Sequence, residues 1–223
     1  MKRFKITDLL IGVLFTLLFI SIAVVVTINF RPLYYMDISL LHIEETSGLN
    51  RELIKENYNA LIDYSSPFFQ GELRFPSLPA SEHGLIHFEE VKNIFTAFYL
   101  MGVVTLVVGI IIVIRKTKNN DHHYLLVSSI TAIALPTLLA LLLSIDFDRA
   151  FVVFHKLFFN NDYWLFDPAT DPVILILPDT FFLHCALMII VLVILMSLLF
   201  LAAFLWKKRY SGIRYRKNRG LKL

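Results

Sequence analysis

The chain has 223 residues, 57% of them hydrophobic and 14% aromatic, with a mean hydropathy of +0.68. An ordinary soluble domain is about 45–50% apolar, so the excess excludes a small water-soluble core and points to burial in lipid. One cysteine, Cys185, excludes an internal disulfide, and a net charge of +3 is too small to imply a nucleic-acid partner.

A helix needs about 20 apolar residues to cross roughly 30 Å of hydrocarbon. After a basic N-terminus (1–8), the first such stretch is 9–30. Its apolar run exceeds the 7–15 residues usual for the core of a signal peptide, and no A-x-A-like site follows, so it reads as a retained span. A 63-residue connection (31–93) comes next, too long for a structureless loop. Within it Asn50 is a good N-cap for a helix reaching Tyr64, with Leu53, Ile54, Tyr58, Leu61 and Ile62 on one face. Phe68 to Phe75, centred on Gln70-Gly71, reads as a hairpin. Pro76, Pro79 and Gly84 mark an irregular passage, and helix resumes at His87, leading into the second span, 94–114.

A short basic loop (115–123) leads to the third span, 124–145, which contains Pro136. The next connection, 146–180, opens as a helix. Phe147, Phe151, Phe154 and Phe158 recur along it at i, i+4, i+7 and i+11. Asn160-Asn161 ends it, Asp167-Pro168 and Asp171-Pro172 are turn chemistry, and 173–177 is an apolar piece too short to span. Asp179 caps the fourth span, 181–206, and a basic tail occupies 207–223.

Basic residues set the orientation. The two ends and the 115–123 loop hold 14 of the 21 Lys and Arg, whereas the two long connections hold 16 of the 18 Asp and Glu. The expected fold is therefore an all-α membrane protein of four transmembrane helices. Both termini are cytoplasmic, and the first and third connections build an extracytoplasmic cap.

Histidine is the side chain best suited to proton transfer near neutrality. His87 and His155 both stand where cap helices meet the membrane, with Glu89 and Glu90 beside the first and Asp148 two turns before the second. A metal is not expected. His83 and His87 have i, i+4 spacing, but Gly84 and the preceding prolines argue against a helix there, and neither HExxH nor CxxC occurs. Without a G-x-S-x-G motif, and with Cys185 about one turn into the fourth span, covalent catalysis lacks a nucleophile.

The passage FHKLFFNNDYWLFDPATDP (154–172), the following VILILPDTFF (173–182), HFEEV (87–91) and NYNALIDY (57–64) resemble the bacterial lipoprotein intramolecular transacylases. That resemblance implies an acyltransferase of the cell membrane. It moves the sn-2 acyl chain of a diacylated lipoprotein to the α-amino group of the substrate's N-terminal cysteine, with the site on the extracytoplasmic face. It also implies that His87 and His155 are the catalytic pair. An ester becomes an amide, which is downhill, so no cofactor is needed. Tyr58, Asn160, Asn161 and Trp164 are candidate donors to the oxyanion, and Asp162 or Asp167 to orient His155 or hold the substrate ammonium. The competing expectations are a non-catalytic sensor or interaction protein using the cap, and a transporter, which four spans without internal charge disfavour. Oligomeric state and acyl-chain preference are not legible.

Overall fold

The computed structural model describes residues 6–220. Lys2, Arg3, Lys5 and Lys222, part of the charge pattern above, lie outside them. The described chain is helical: α1 (Ile6–Asn29), α2 (Arg31–Leu40), α3 (Ile43–Ser47), α4 (Arg51–Tyr64), α5 (Glu82–Lys118), α6 (His123–Ile145), α7 (Phe147–Phe158), α8 (Val173–Ile176) and α9 (Asp179–Gly220). Among the described residues, α1, α5 and α9 are long and apolar enough to cross a membrane. Helix α6 has 23 residues and carries Pro136 inside it. The chain forms two compact units.

The first unit comprises Met1–Ile22, Met101–Leu139 and Ile190–Leu223. Phe15 and Phe19 each meet Phe200 edge-on at 4.9 Å between ring centroids, and Phe15 also stacks on Tyr124 at 6.1 Å. Gly109 permits the approach of Phe15, since a Cβ there would stand 3.2 Å from that ring. Asp8, only 2% exposed, is neutralised locally. Lys116 Nζ donates to Asp8 and to Asp121 at 2.9 Å, and His123 Nδ1 lies 3.3 Å from the other Asp8 oxygen. Asp8 and the 115–123 loop thus form a paired, largely buried charge cluster that includes His123. A buried carboxylate without such partners is strongly destabilising.

The second unit comprises Ala23–Leu100 and Ala140–Ile189. Its core gathers Tyr34 and Ile38 of α2, Ile54, Tyr58 and Leu61 of α4, Phe88 of α5, Val173 and Ile176 of α8, and Phe181 of α9. Tyr34 stacks on Tyr58 at 3.7 Å, and its hydroxyl donates to the Ile176 carbonyl at 2.6 Å. The apolar 173–177 piece is therefore core, wound as the short helix α8. Asn50 caps α4 as expected, its side chain accepting from Leu53 N–H at 2.9 Å.

Two expectations fail here. No strand occurs among the described residues, so 68–75 is not a hairpin. A turn on Ser66 opens this passage instead, Phe69 N–H donating to the Ser66 carbonyl at 3.1 Å, and Lys92 Nζ of α5 donates to the Phe69 carbonyl at 3.0 Å. Just beyond it, buried Asn57 of α4 donates to Ser77 Oγ at 2.6 Å and accepts from Ser77 N–H at 3.3 Å. Helix α5 also begins five residues before His87, because Ser81 caps it by accepting from Gly84 N–H at 3.0 Å. Gly84 is required there by close packing. A methyl on it would overlap the Asp171 carboxylate, itself fixed by Ser81 N–H at 2.8 Å and the Thr170 hydroxyl at 2.7 Å. At the start of α9, Asp179 lies inside the first turn.

Candidate active site

His87 lies on α5 and His155 on α7, helices that meet through aromatic rings. The two imidazoles are 5.9 Å apart between centroids and inclined at 35°. His87 is 5% and His155 8% exposed. Phe159 stands edge-on to His87 at 4.7 Å and Phe166 at 5.5 Å. Trp164 stacks on His155 at 4.7 Å, and Phe151 lies 4.2 Å from it on the preceding turn. The aromatic excess of the sequence is thus partly a wall around two imidazoles.

The hydrogen bonding differs between them. His155 Nδ1 lies 2.8 Å from the Phe151 carbonyl, which can only accept, so Nδ1 carries the proton and Nε2 keeps a lone pair. His87 Nδ1 is buried with no protein partner. Burial pushes the His87 pKa down to about 4, and the neighbouring His155 pushes the same way. Burial also lowers His155, against the opposing effects of the Phe151 bond and the Asp179 charge. Both rings are therefore neutral at neutral pH, each a base with one position to fill.

The other expected residues divide. Asn161 and Trp164 come to the pair. The Trp164 indole N–H donates to the Asn161 carbonyl at 3.1 Å, and Asn161 Nδ2 donates to Glu90 Oε1 at 2.8 Å. Trp164 therefore spends its N–H within the turn. Tyr58 lies in the core, with ring contacts to Tyr34, Tyr35 and Phe181. Asn160 and Asp162 are exposed. Asp167 builds its own turn, Oδ1 accepting from Ala169 N–H at 2.9 Å. Asp148 is exposed, and the acid whose charge reaches His155 is Asp179. His83 does share a helix with His87, but its ring stacks on Tyr163 at 4.1 Å, and no metal-holding group occurs among the described residues.

Sequence reasoning missed a second histidine pairing. His184 Nδ1 on α9 lies 2.9 Å from both carboxylate oxygens of Asp37, which is 1% exposed. The partners are 147 residues apart, a separation that leaves no local signal. The apolar groove lined by Pro32, Tyr35, Met36, Ser39, Leu40 and Arg51 shares no residue with the histidine pair.

Long apolar helices and a buried pair of neutral imidazoles define a membrane-integral protein equipped for proton transfer. Residues 9–182 match the family model of the lipoprotein intramolecular transacylase Lit. The solved Lit from Bacillus cereus is similar to this chain at 35% identity and a TM-score of 0.89, covering 93% of this chain and 98% of its own. Two mutated forms of that protein, one with histidine replaced by arginine and one by alanine, are similar at 35% identity and a TM-score of 0.83. Each covers 93% of this chain, and 95% and 96% of its own respectively. No curated protein matches the chain. The chain belongs to the Lit family: it is a membrane-integral lipoprotein intramolecular transacylase.

Proposed function

We propose that His87 and His155 are the acid–base pair that moves the sn-2 acyl chain of a diacylglyceryl lipoprotein onto the α-amino group of its N-terminal cysteine. The observation that carries this reading is the approach of two neutral, buried imidazoles to 5.9 Å. In the reaction the amine nitrogen attacks the ester carbon and loses a proton to one ring. The tetrahedral centre then expels the glyceryl oxygen, which takes a proton from the other ring as that ring's second nitrogen accepts the proton held by the first. A C–N bond replaces a C–O bond, the proton count is unchanged, and the product is the N-acyl, lyso-glyceryl lipoprotein. His155 suits the base role, because its Nδ1–H is fixed on Phe151 and its Nε2 is left to accept. Such acid–base help is typically worth about 10²–10⁴-fold. No acyl-enzyme is needed, since nucleophile and ester belong to one molecule. Attack closes an eight-membered ring, and a crowded aromatic wall that folds the lipid back on itself favours that closure.

The surroundings follow from the same reading. Four spans (9–30, 94–114, 124–145 and 181–206) carry a cap made of 31–93 and 146–180 on the extracytoplasmic face. The 1–8, 115–123 and 207–223 segments are cytoplasmic. Asn160, Asn161, Asp162 and Trp164 form the turn that borders the reacting lipid, Asp167 shapes the next turn, and Tyr58 supports the wall from the core. Purified protein incubated with a diacylated lipopeptide tests the reading. Mass spectrometry should show an O-to-N acyl shift at constant mass. His87→Ala and His155→Ala should each slow it by about 10²-fold or more. Unaltered turnover in both folded variants would exclude the assignment.

A further inference from the structure

The pair leaves one substrate group unattended, the charged α-ammonium from which the proton must come. Glu90 lies one turn beyond His87 on α5, at i, i+3 and hence on the same face. One carboxylate oxygen, Oε1, accepts from Asn161 Nδ2 at 2.8 Å. The amide of Asn161 has only one orientation open to it, because its Oδ1 accepts from Tyr163 N–H at 3.1 Å. The backbone carbonyl of Asn161 accepts from Trp164, whose ring lies on His155. Glu90, Asn161, Trp164, His155 and His87 thus form one connected set. The other oxygen of Glu90, Oε2, is buried with no partner in the protein. The nearest lysine along the helix, Lys92, is engaged elsewhere, donating to the Phe69 carbonyl at 3.0 Å and covering the Tyr64 ring.

A buried carboxylate oxygen without a partner is costly and uncommon. A cation with N–H donors satisfies it best, and a primary ammonium brings three. We infer that Glu90, held by Asn161, binds the α-ammonium of the substrate's N-terminal cysteine and presents it to the histidine pair. This rests on the transacylase reading of the pair and names the group that selects a free amino terminus. Glu90 is not the base. A carboxylate beside the ammonium holds its proton on, so Glu90 favours binding of the charged amine; an imidazole then passes one proton to solvent, which frees the amine, and the second proton, lost on attack, is the one relayed to the glyceryl oxygen.

The experiment uses two unreactive ligands, a diacylglyceryl lipopeptide with an ether in place of the sn-2 ester and its N-acetylated form. The full-length wild-type protein should bind the free amine at least tenfold more tightly, and Glu90→Gln should erase that preference. With the ester substrate, Glu90→Gln should raise KM more than it lowers kcat. It should also move the rising, acid-side limb of kcat to lower pH, since the bound amine then loses its proton more easily. Asn161→Ala should weaken the preference partially, and it serves where Glu90→Gln does not fold. A Glu90→Gln protein that still prefers the free amine, or a wild type with no preference, overturns the inference while leaving the acyl shift intact. A wild type that binds the amine but moves no acyl chain instead counts against the transacylase reading of the pair.

Discussion

At the scale of single residues, the proposed acid–base chemistry rests on imidazoles kept neutral by burial. An imidazole lowered from its ordinary 6.5 to about 4 has consequences for stability as well as for catalysis. Between those two values the unfolded chain binds a proton that folded His87 refuses. Stability contributed by the neutral ring is therefore intact above pH 6.5 and is lost as pH falls toward 4, by about 3 kcal/mol. Thermal unfolding of the purified protein should shift steeply downward between pH 6.5 and 4, and His87→Phe should flatten that slope. An equal slope in both proteins would mean that His87 is not buried as described. The two histidines were legible as candidates because they stand in motifs with family resemblance, on predicted helices beside predicted spans. Their partners were not. Glu90 and Asn161 are 71 residues apart, Asp37 and His184 147, and nothing local to either member announces the other.

At the scale of elements, patterns that close within a few residues were readable. The α4 cap at Asn50 and the aromatic stripe of α7 both depend on spacings of three or four. The failures came where a distant chain segment decides the local conformation. The 68–75 passage has hairpin-like composition, but Ser66 just after α4 and Lys92 of α5 take up the backbone at Phe69. The start of α5 was placed too late because Gly84 reads as a helix breaker. In the fold it is the position that lets Asp171 and Phe166 approach, and Phe166 stands on His87. Gly84→Ala gains helix propensity worth roughly 1 kcal/mol, yet its methyl collides with a carboxylate held by two hydrogen bonds. The collision should dominate, lowering turnover at least tenfold with a fall in melting temperature. Gly84→Ala combined with Asp171→Ala, which removes the colliding group, should recover part of the turnover. Full activity in Gly84→Ala alone would show that the loop yields without disturbing His87.

At the scale of the whole molecule, composition already demands lipid, and charge sorting assigns sides to it. Helices α1, α5 and α9 satisfy length and hydropathy at once. The fourth crossing turns on α6. Residues 119 and 169 flank α6 and α7, and they lie on opposite sides of the membrane only if an odd number of crossings separates them. Helix α7 has 12 residues, about 18 Å at 1.5 Å per residue, too short for a core of roughly 30 Å. Helix α6 has 23, about 34 Å, which suffices. Single cysteines at the exposed positions Glu72, Asn119 and Ala169, introduced after Cys185→Ala, decide the matter with a membrane-impermeant maleimide on intact cells. Positions 72 and 169 should label directly, and 119 only after permeabilisation. Labelling of 119 together with 169 would remove α6 from the membrane. It would also deprive the charge pattern of its meaning, because the 115–123 loop would then face outward with its three basic residues. The Cys185→Ala background adds its own outcome. If the acyl chain passes directly from oxygen to nitrogen, that protein retains wild-type turnover, whereas loss of activity without unfolding would demand an acyl-enzyme on sulfur.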